Sequence, residues 1–315
     1  MKIVLALGGN ALQADPKDKS SKAQLQTCRD TAISIVDLIE DGHVVSIVHG
    51  NGPQVGQILS TVEDARKQNE GNVLFPFDVC GSFSQGYIGY HLQNSIAQEL
   101  SKREIDKSVA TVVTQVVVNK NDDGFQNPTK PIGSFFSKEM SEKLEKEEKY
   151  VMKEDAGRGY RRVVASPKPI DVIEKKMIKE LVDNGNVVIS CGGGGIPVVR
   201  ENEEVMGVPA VIDKDFAAEK LAEILDADCL LILTAVDRVC VNFNKPDQKE
   251  LNEINIDDVN KYIEEGQFAP GSMLPKVEAC KKFVMFNKDK IAMIASLSKA
   301  KDALKGLSGT KIVRY

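Results

Sequence analysis

The sequence predicts an α/β protein with a mostly parallel sheet covered by helices on both faces and a small lid protruding from it. Three observations predict it. Short apolar runs alternate with segments of helical period along most of the chain. Three of those runs stop at glycines: 3–7 before Gly8-Gly9-Asn10, 44–48 before His49-Gly50-Asn51-Gly52, and 187–191 before Gly192-Gly193-Gly194-Gly195. Between 119 and 169 the texture changes to turn signals, a charged segment and an arginine-rich stretch.

After the first turn, Leu25, Cys28, Ala32, Ile35, Val36 and Ile39 recur at helical spacing over 22–39, and Gly42 fits the stop. A strand is expected at 44–48 and a helix from Gln54 through the sixties. Ile88, Leu92 and Ile96 place another helix over 83–100, and 109–118 reads as one strand. Asn121-Asp122-Asp123-Gly124 and Asn127-Pro128 are turns, and 138–149 is a short charged helix. The alternation resumes with a helix at 170–183, a strand at 187–191, a helix at 214–225, a strand at 229–234, a helix at 273–285 and strands at 290–295 and 311–314. One domain over 1–315, with the lid at 119–169 inside it, accounts for this order.

Composition excludes several classes. The net charge is −5, so no global basic field draws the chain to nucleic acid or an anionic membrane. Tryptophan is absent and aromatics make up 5%, which disfavours base-stacking platforms. No run approaches a membrane span, and no long apolar segment follows the first lysine as a leader would require. The six cysteines lack zinc or disulfide-framework spacing and read as free thiols in the cytosol. His43, His49 and His91 lack metal-ligand spacing, so no dedicated metal site is expected, and His49 is read as packing its turn.

A strand that stops at glycines lets backbone N–H groups approach an anion, and in open α/β sheets ligands bind beyond the carboxyl ends of strands. One such turn is ordinary chain reversal; three in one chain imply a shared anionic site. The Walker A loop is missing because no Gly-Lys dipeptide occurs, and 50–56 carries one residue too many for G-x-G-x-x-G. Any anion must be held by local cations. Most lysines are solvated surface, but Lys130, Lys214 and Lys276 each sit in a segment stiffened by prolines, glycines or an adjoining strand. Positioned positive charge is what phosphoryl transfer needs. Asp213 and Asp215 flank Lys214; one can hold lysines and one can cap the following helix, Asp215 being placed to do so before Phe216. The arginines of 155–162, spaced by glycines, are compatible with an ordered loop facing an anion.

The collinear segments Leu7-Gly8-Gly9-Asn10-Ala11, Gly50-Asn51-Gly52-Pro53-Gln54-Val55-Gly56, Ser84-Gln85-Gly86-Tyr87, Thr129-Lys130-Pro131-Ile132-Gly133, Asp155-Ala156-Gly157-Arg158-Gly159, Val211-Ile212-Asp213-Lys214-Asp215 and Gly271-Ser272-Met273 with Pro275-Lys276 resemble carbamate kinases of the amino-acid kinase superfamily. The glycine turns resemble the superfamily at large; the segments around Lys130 and Arg158 are the more specific ones. The resemblance implies a three-layer αβα sandwich, usually homodimeric, with a protruding subdomain. It implies reversible phosphoryl transfer between ATP and carbamate, commonly run from carbamoyl phosphate and ADP in arginine fermentation, with Mg2+ arriving on the nucleotide. Carried over by motif, Gly8, Gly9 and Asn10 would hold the transferring group, and Gly50, Asn51 and Gly52 the carbamate side. Lys130 would reach in from the lid, Lys214 and Lys276 would neutralise phosphate charge, and Asp215 would orient the lysines. Thr234, Asp237 and Cys240, with Met273 nearby, would wall the nucleotide. Many relatives place an aromatic residue near position 240, so Cys240 is a departure that puts a thiol at the adenine wall. A superfamily kinase for another small anionic acceptor is the competing enzyme reading. A silent effector-binding regulator is disfavoured because Lys130, Lys214 and Asp215 are all present.

Overall fold

The computed structural model describes residues 1–12, 18, 20–155 and 157–315; of Asn10 it describes the backbone, and Ala156 of the arginine stretch lies outside the described residues. The chain runs through β1 (Lys2–Leu7), a 3-10 turn (Gly9–Ala11), α1 (Ser21–Glu40), β2 (Val44–His49), α2 (Gly52–Gln68), α3 (Phe77–Lys102), β3 (Val109–Thr111) and β4 (Gln115–Val118). It continues with β5 (Lys130–Phe136), α4 (Lys138–Glu148), β6 (Val151–Glu154), β7 (Tyr160–Val164), β8 (Pro169–Val172), α5 (Lys175–Asp183), β9 (Val187–Ile189), β10 (Ile196–Glu201), β11 (Glu204–Gly207) and α6 (Lys214–Ile224). The last third holds β12 (Cys229–Thr234), β13 (Cys240–Val241), β14 (Lys249–Glu250), β15 (Glu253–Asn255), α7 (Ile256–Glu264), α8 (Met273–Phe286), β16 (Ile291–Ser296), α9 (Ala300–Leu304) and β17 (Thr310–Val313).

The main sheet has the order β15-β17-β16-β12-β1-β2-β9-β3 and is parallel except where β17 runs against β16. Both faces are covered, which is why its central strands read as unbroken apolar runs. Along β1, Val4 and Ala6 join the core that contains Ala218 and Leu221 of α6 and Val277 and Phe283 of α8. Ile3, Leu5 and Leu7 alternate to the opposite core, with Ile35 and Leu38 of α1 and Ile88, Leu92 and Ile96 of α3. Strand β1 lies between β2 and β12, so the order reverses there and a crevice opens beyond the carboxyl ends.

Two smaller sheets flank this frame. One has the order β11-β10-β4-β8; the other, β5-β7-β6, carries α4 and packs on α2. The approach to α2 is backbone to backbone, since a Cβ on Gly56 would lie 2.1 Å from the Gly133 nitrogen.

Several expectations are corrected. The apolar stretch 109–118 is two strands in different sheets, β3 beside β9 and β4 beside β10. Buried Thr114 makes the break: its N–H donates to Gln85 Oε1 at 2.9 Å, and its carbonyl accepts from Gln85 Nε2 at 3.0 Å. Residues 170–172 belong to β8, antiparallel to β4, and the helix expected from 170 begins at Lys175. Strand β9 stops at Ile189, because Cys191 already has φ +49°. The hairpin β10–β11 and helix α7 were not anticipated from the sequence.

Candidate active site

The carboxyl edge of the main sheet gathers the three glycine turns. Leu7 stands opposite His49 on one side and Leu233 on the other, so Gly8, Gly50 and Thr234 leave the sheet side by side. Not every amide there is available to a ligand. The Gly8 N–H donates to the Leu233 carbonyl at 3.2 Å, and the Gly50 N–H donates to the Leu7 carbonyl at 3.3 Å. Those two glycines serve close packing: a Cβ on Gly8 would lie 2.8 Å from the Leu233 oxygen, and one on Gly50 would lie 3.3 Å from Cδ of Lys214. The amides that open a helical turn, at Gly9 and Gly52, have no partner within that turn. Helix α2 therefore starts with its N-terminus toward the crevice and with no acidic side chain in its first turn.

The third turn is a packing device. A Cβ on Gly192 would lie 2.5 Å from Nε2 of His49, and one on Gly193 would lie 2.2 Å from Nδ2 of Asn51. Gly193, Gly194 and Gly195 all have positive φ, so side chains are strained there even without these neighbours. Asn51 donates to the Ser84 hydroxyl at 2.8 Å and leaves α2 without a side-chain cap. His49 is fully buried; burial lowers its pKa to about 4, against the opposing effect of a 2.9 Å contact between its Nδ1 and the Gly50 carbonyl. The ring is neutral at pH 7, in keeping with the turn-packing role read for it.

The lysines converge at the start of α6. Asp213, not Asp215, caps this helix: its Oδ1 accepts from the Asp215 N–H at 2.9 Å. Its Oδ2 accepts from Nζ of Lys130, on β5, at 2.6 Å. Asp215 holds the other two cations. Lys214 donates to its Oδ1, and Lys276, on the first turn of α8, donates to its Oδ2 at 3.0 Å. Burial pulls the Lys214 pKa down, partly opposed by Asp215. Burial also works against the Lys276 ammonium, but Asp215 outweighs it and the net shift is upward. The Asp213 carboxyl lies below the usual carboxylate range: burial opposes ionisation, and the Lys130 ammonium overrides it. Three cations against two carboxylates leave one positive charge in surplus. Glycine turns, the start of α2 and a surplus positive charge thus come together at the carboxyl edge of the main sheet.

The amino acid kinase family model matches residues 1–294. The chain belongs to the amino acid kinase family. Over 314 residues, 100% of both chains, it is 74% identical to a carbamate kinase of Clostridium perfringens. It is 54% identical to the carbamate kinase-like protein YqeA of Escherichia coli, covering 99% of this chain and 98% of that one. Among solved structures, carbamate kinase from Giardia lamblia bound to AMP-PNP superposes with a TM-score of 0.90 at 39% identity, over 100% of this chain and 98% of that chain.

In this amino acid kinase the remaining expected residues lie on several elements. Thr234 ends β12, and Asp237, just beyond it, accepts a hydrogen bond from the Ser296 hydroxyl at the end of β16. Met273 opens α8, three residues before Lys276. Cys240 is in the β13–β14 ribbon opposite Glu250, half-buried, its Sγ 3.8 Å from the Arg238 carbonyl. The arginine stretch differs from expectation. Arg158 and Arg161 both bond Asp155, at 3.0 and 3.2 Å, and Arg162 bonds Glu63 at 3.0 Å while lying over the Tyr150 ring. These ion pairs hold the β5–β7–β6 sheet together and tie it to α2, with Arg158 and Arg161 sharing the single carboxylate of Asp155. The sequence reading named Asp213 beside Lys214 but did not assign it to Lys130; no local signal joins residues 83 positions apart.

Proposed function

We propose that the chain is a carbamate kinase that transfers a phosphoryl group reversibly between ATP and carbamate. Lys214 and Lys276 meeting on one buried carboxylate beside the Gly50 turn, with Lys130 entering from another sheet, carries this reading. The turn amides of Gly9 and Gly52 take phosphate oxygens, with Asn10 and Asn51 on the small-substrate side. The ammonium groups of Lys214 and Lys276 neutralise the charge that develops on the transferred group, and Asp215 holds them at a fixed spacing. Carbamate oxygen is already anionic, so no general base is required. Residues 119–169 act as the lid that carries Lys130 to carbamoyl phosphate. Thr234, Asp237, Cys240 and Met273 wall the nucleotide.

Among the described residues no group of three His, Cys, Asp or Glu side chains could hold a metal. Asp213 and Asp215 are engaged by lysines. That donor set suits Mg2+ carried by the nucleotide phosphates, where it supplies further charge neutralisation. In the cell we assign the enzyme to arginine fermentation in the ATP-forming direction, as a cytosolic homodimer. The deciding experiment measures ATP formation from ADP with carbamoyl phosphate, beside acetyl phosphate. Rapid turnover of carbamoyl phosphate is expected. No activity with it, or preference for acetyl phosphate, overturns the assignment.

A further inference from the structure

We propose that Asp213 is a positioning residue that holds Lys130 in the ligand-free enzyme and competes with the incoming phosphoryl anion for it. The inference rests on the reading of Lys130 as the lid lysine for carbamoyl phosphate. Its two carboxylate oxygens do separate jobs. Oδ1 caps α6 through the Asp215 N–H, at 2.9 Å, and so stays with the helix that carries Lys214. Oδ2 holds Nζ of Lys130 at 2.6 Å and so joins the β5–β7–β6 sheet to that helix. Among the described residues Asp213 is the sole carboxylate in an ion pair with Lys130, whereas Asp215 pairs with both Lys214 and Lys276. The two lysines on Asp215 share one carboxylate at the start of α6. Lys130 sits on a separate sheet with Asp213 as its ion-pair partner, so a phosphate oxygen arriving at Nζ meets a competing carboxylate.

The arrangement has two consequences. The lid strand is pinned near the site before substrate binds. Substrate also competes with Asp213 for the ammonium, so on this proposal the apparent affinity is reduced by the fraction of molecules in which Lys130 is free. The substitution Asp213→Asn separates the two jobs, because asparagine caps a helix as well as aspartate does but lacks the charge to hold an ammonium. Two readouts test it. Calorimetric titration with carbamoyl phosphate in the absence of nucleotide should show binding tightened about three- to tenfold, the range expected for removing one partly buried ion pair. In a Lys130→Ala background the same substitution should leave the affinity unchanged. Hydrogen exchange of the ligand-free protein should be faster across 130–136 in Asp213→Asn than in the parent.

Equal tightening in both backgrounds would mean that Asp213 merely repels anions, and it overturns the proposal. So does unchanged or weakened binding in Asp213→Asn. Failure of the parent enzyme to bind carbamoyl phosphate defeats the substrate assignment instead. Exchange at 130–136 then still decides whether Asp213 pins the strand, and unchanged exchange there overturns the proposal whatever the substrate is.

Discussion

Lys276 and Lys214 share Asp215 by taking different oxygens of its carboxylate, Oδ2 at 3.0 Å and Oδ1 respectively. One acidic side chain thereby fixes the spacing of two ammonium groups that would otherwise repel each other at the start of two adjacent helices. Asp215→Asn keeps the shape and removes the neutralising charge. Turnover should fall about 10²–10³-fold, the loss typical of one preorganised electrostatic group, and unfolding free energy should drop by about 3–5 kcal/mol as a buried pair is broken. Steady-state kinetics and urea titration check this. A near-normal rate in Asp215→Asn contradicts the assigned role.

Lys214→Ala should lose turnover by about 10²-fold or more while keeping a native circular dichroism spectrum. Gly50 packs against this side chain at its Cδ, and truncation leaves Asp215 with Lys276 as its remaining cation partner, so some loss of stability accompanies the loss of rate. A rate close to the parent's would refute Lys214 as the charge-neutralising group.

The contact between Gly56 and Gly133 gives a steric prediction. An alanine at 56 would place its Cβ 2.1 Å from the Gly133 nitrogen, and backbone cannot turn aside as a side chain can. Gly56→Ala should cost about 1–3 kcal/mol and should lower turnover beyond that, because β5 carries Lys130. At Gly9 nothing lies within 4 Å of an added Cβ, so Gly9→Ala should leave stability within about 0.5 kcal/mol. It should slow turnover by projecting a methyl group where the transferred group is proposed to sit. Denaturant midpoints and kinetics of the pair check both. Equal stability of the two variants sinks the steric argument.

His49 makes stability depend on pH in a defined direction. Its folded pKa of about 4 is below the ordinary 6.5, so between those values the unfolded chain binds a proton that the native chain does not. Stability therefore rises with pH through this window, and the contribution lost on going from pH 7 to below pH 4 is about 3 kcal/mol. NMR titration of the ring should find it neutral at pH 5.5. A His49 midpoint near 6.5 contradicts the burial argument.

Cys240 is the one cysteine of the six that is not buried. Burial, with Glu250 nearby, raises its pKa, so alkylation by iodoacetamide should be slow at pH 7 and faster as pH rises. Mass spectrometry should locate the label at Cys240, and ATP should protect it. Equal labelling with and without ATP removes Cys240 from the nucleotide wall.

Much of this molecule is readable from residues in order. Unbroken apolar strands announced a sheet covered on both faces, and the helical stripes of α1, α3, α6 and α8 were found within a few residues of their ends, except that α3 starts at Phe77 instead of 83. The glycine turns said anion, and rigid contexts drew out Lys130, Lys214 and Lys276. These are local properties: periodicity, backbone freedom and residue type within a few positions. What tertiary structure alone decided was pairing. The run 109–118 is mostly apolar, broken by Thr111, Thr114 and Gln115, and nothing within it tells that Gln85, from α3, will bond Thr114 and split it between two sheets. The amides of Gly8 and Gly50 look free in the sequence and are taken by neighbouring strands. The arginines of 155–162 look ready for a ligand, yet each is ion-paired within the chain, Arg158 and Arg161 with Asp155 and Arg162 with Glu63. The sequence by itself determined which charges exist and that strand ends would gather them. Only the folded chain decided which carboxylate holds which lysine, because ion pairs form between groups that are close in space, and Lys130 and Asp213 meet across 83 positions.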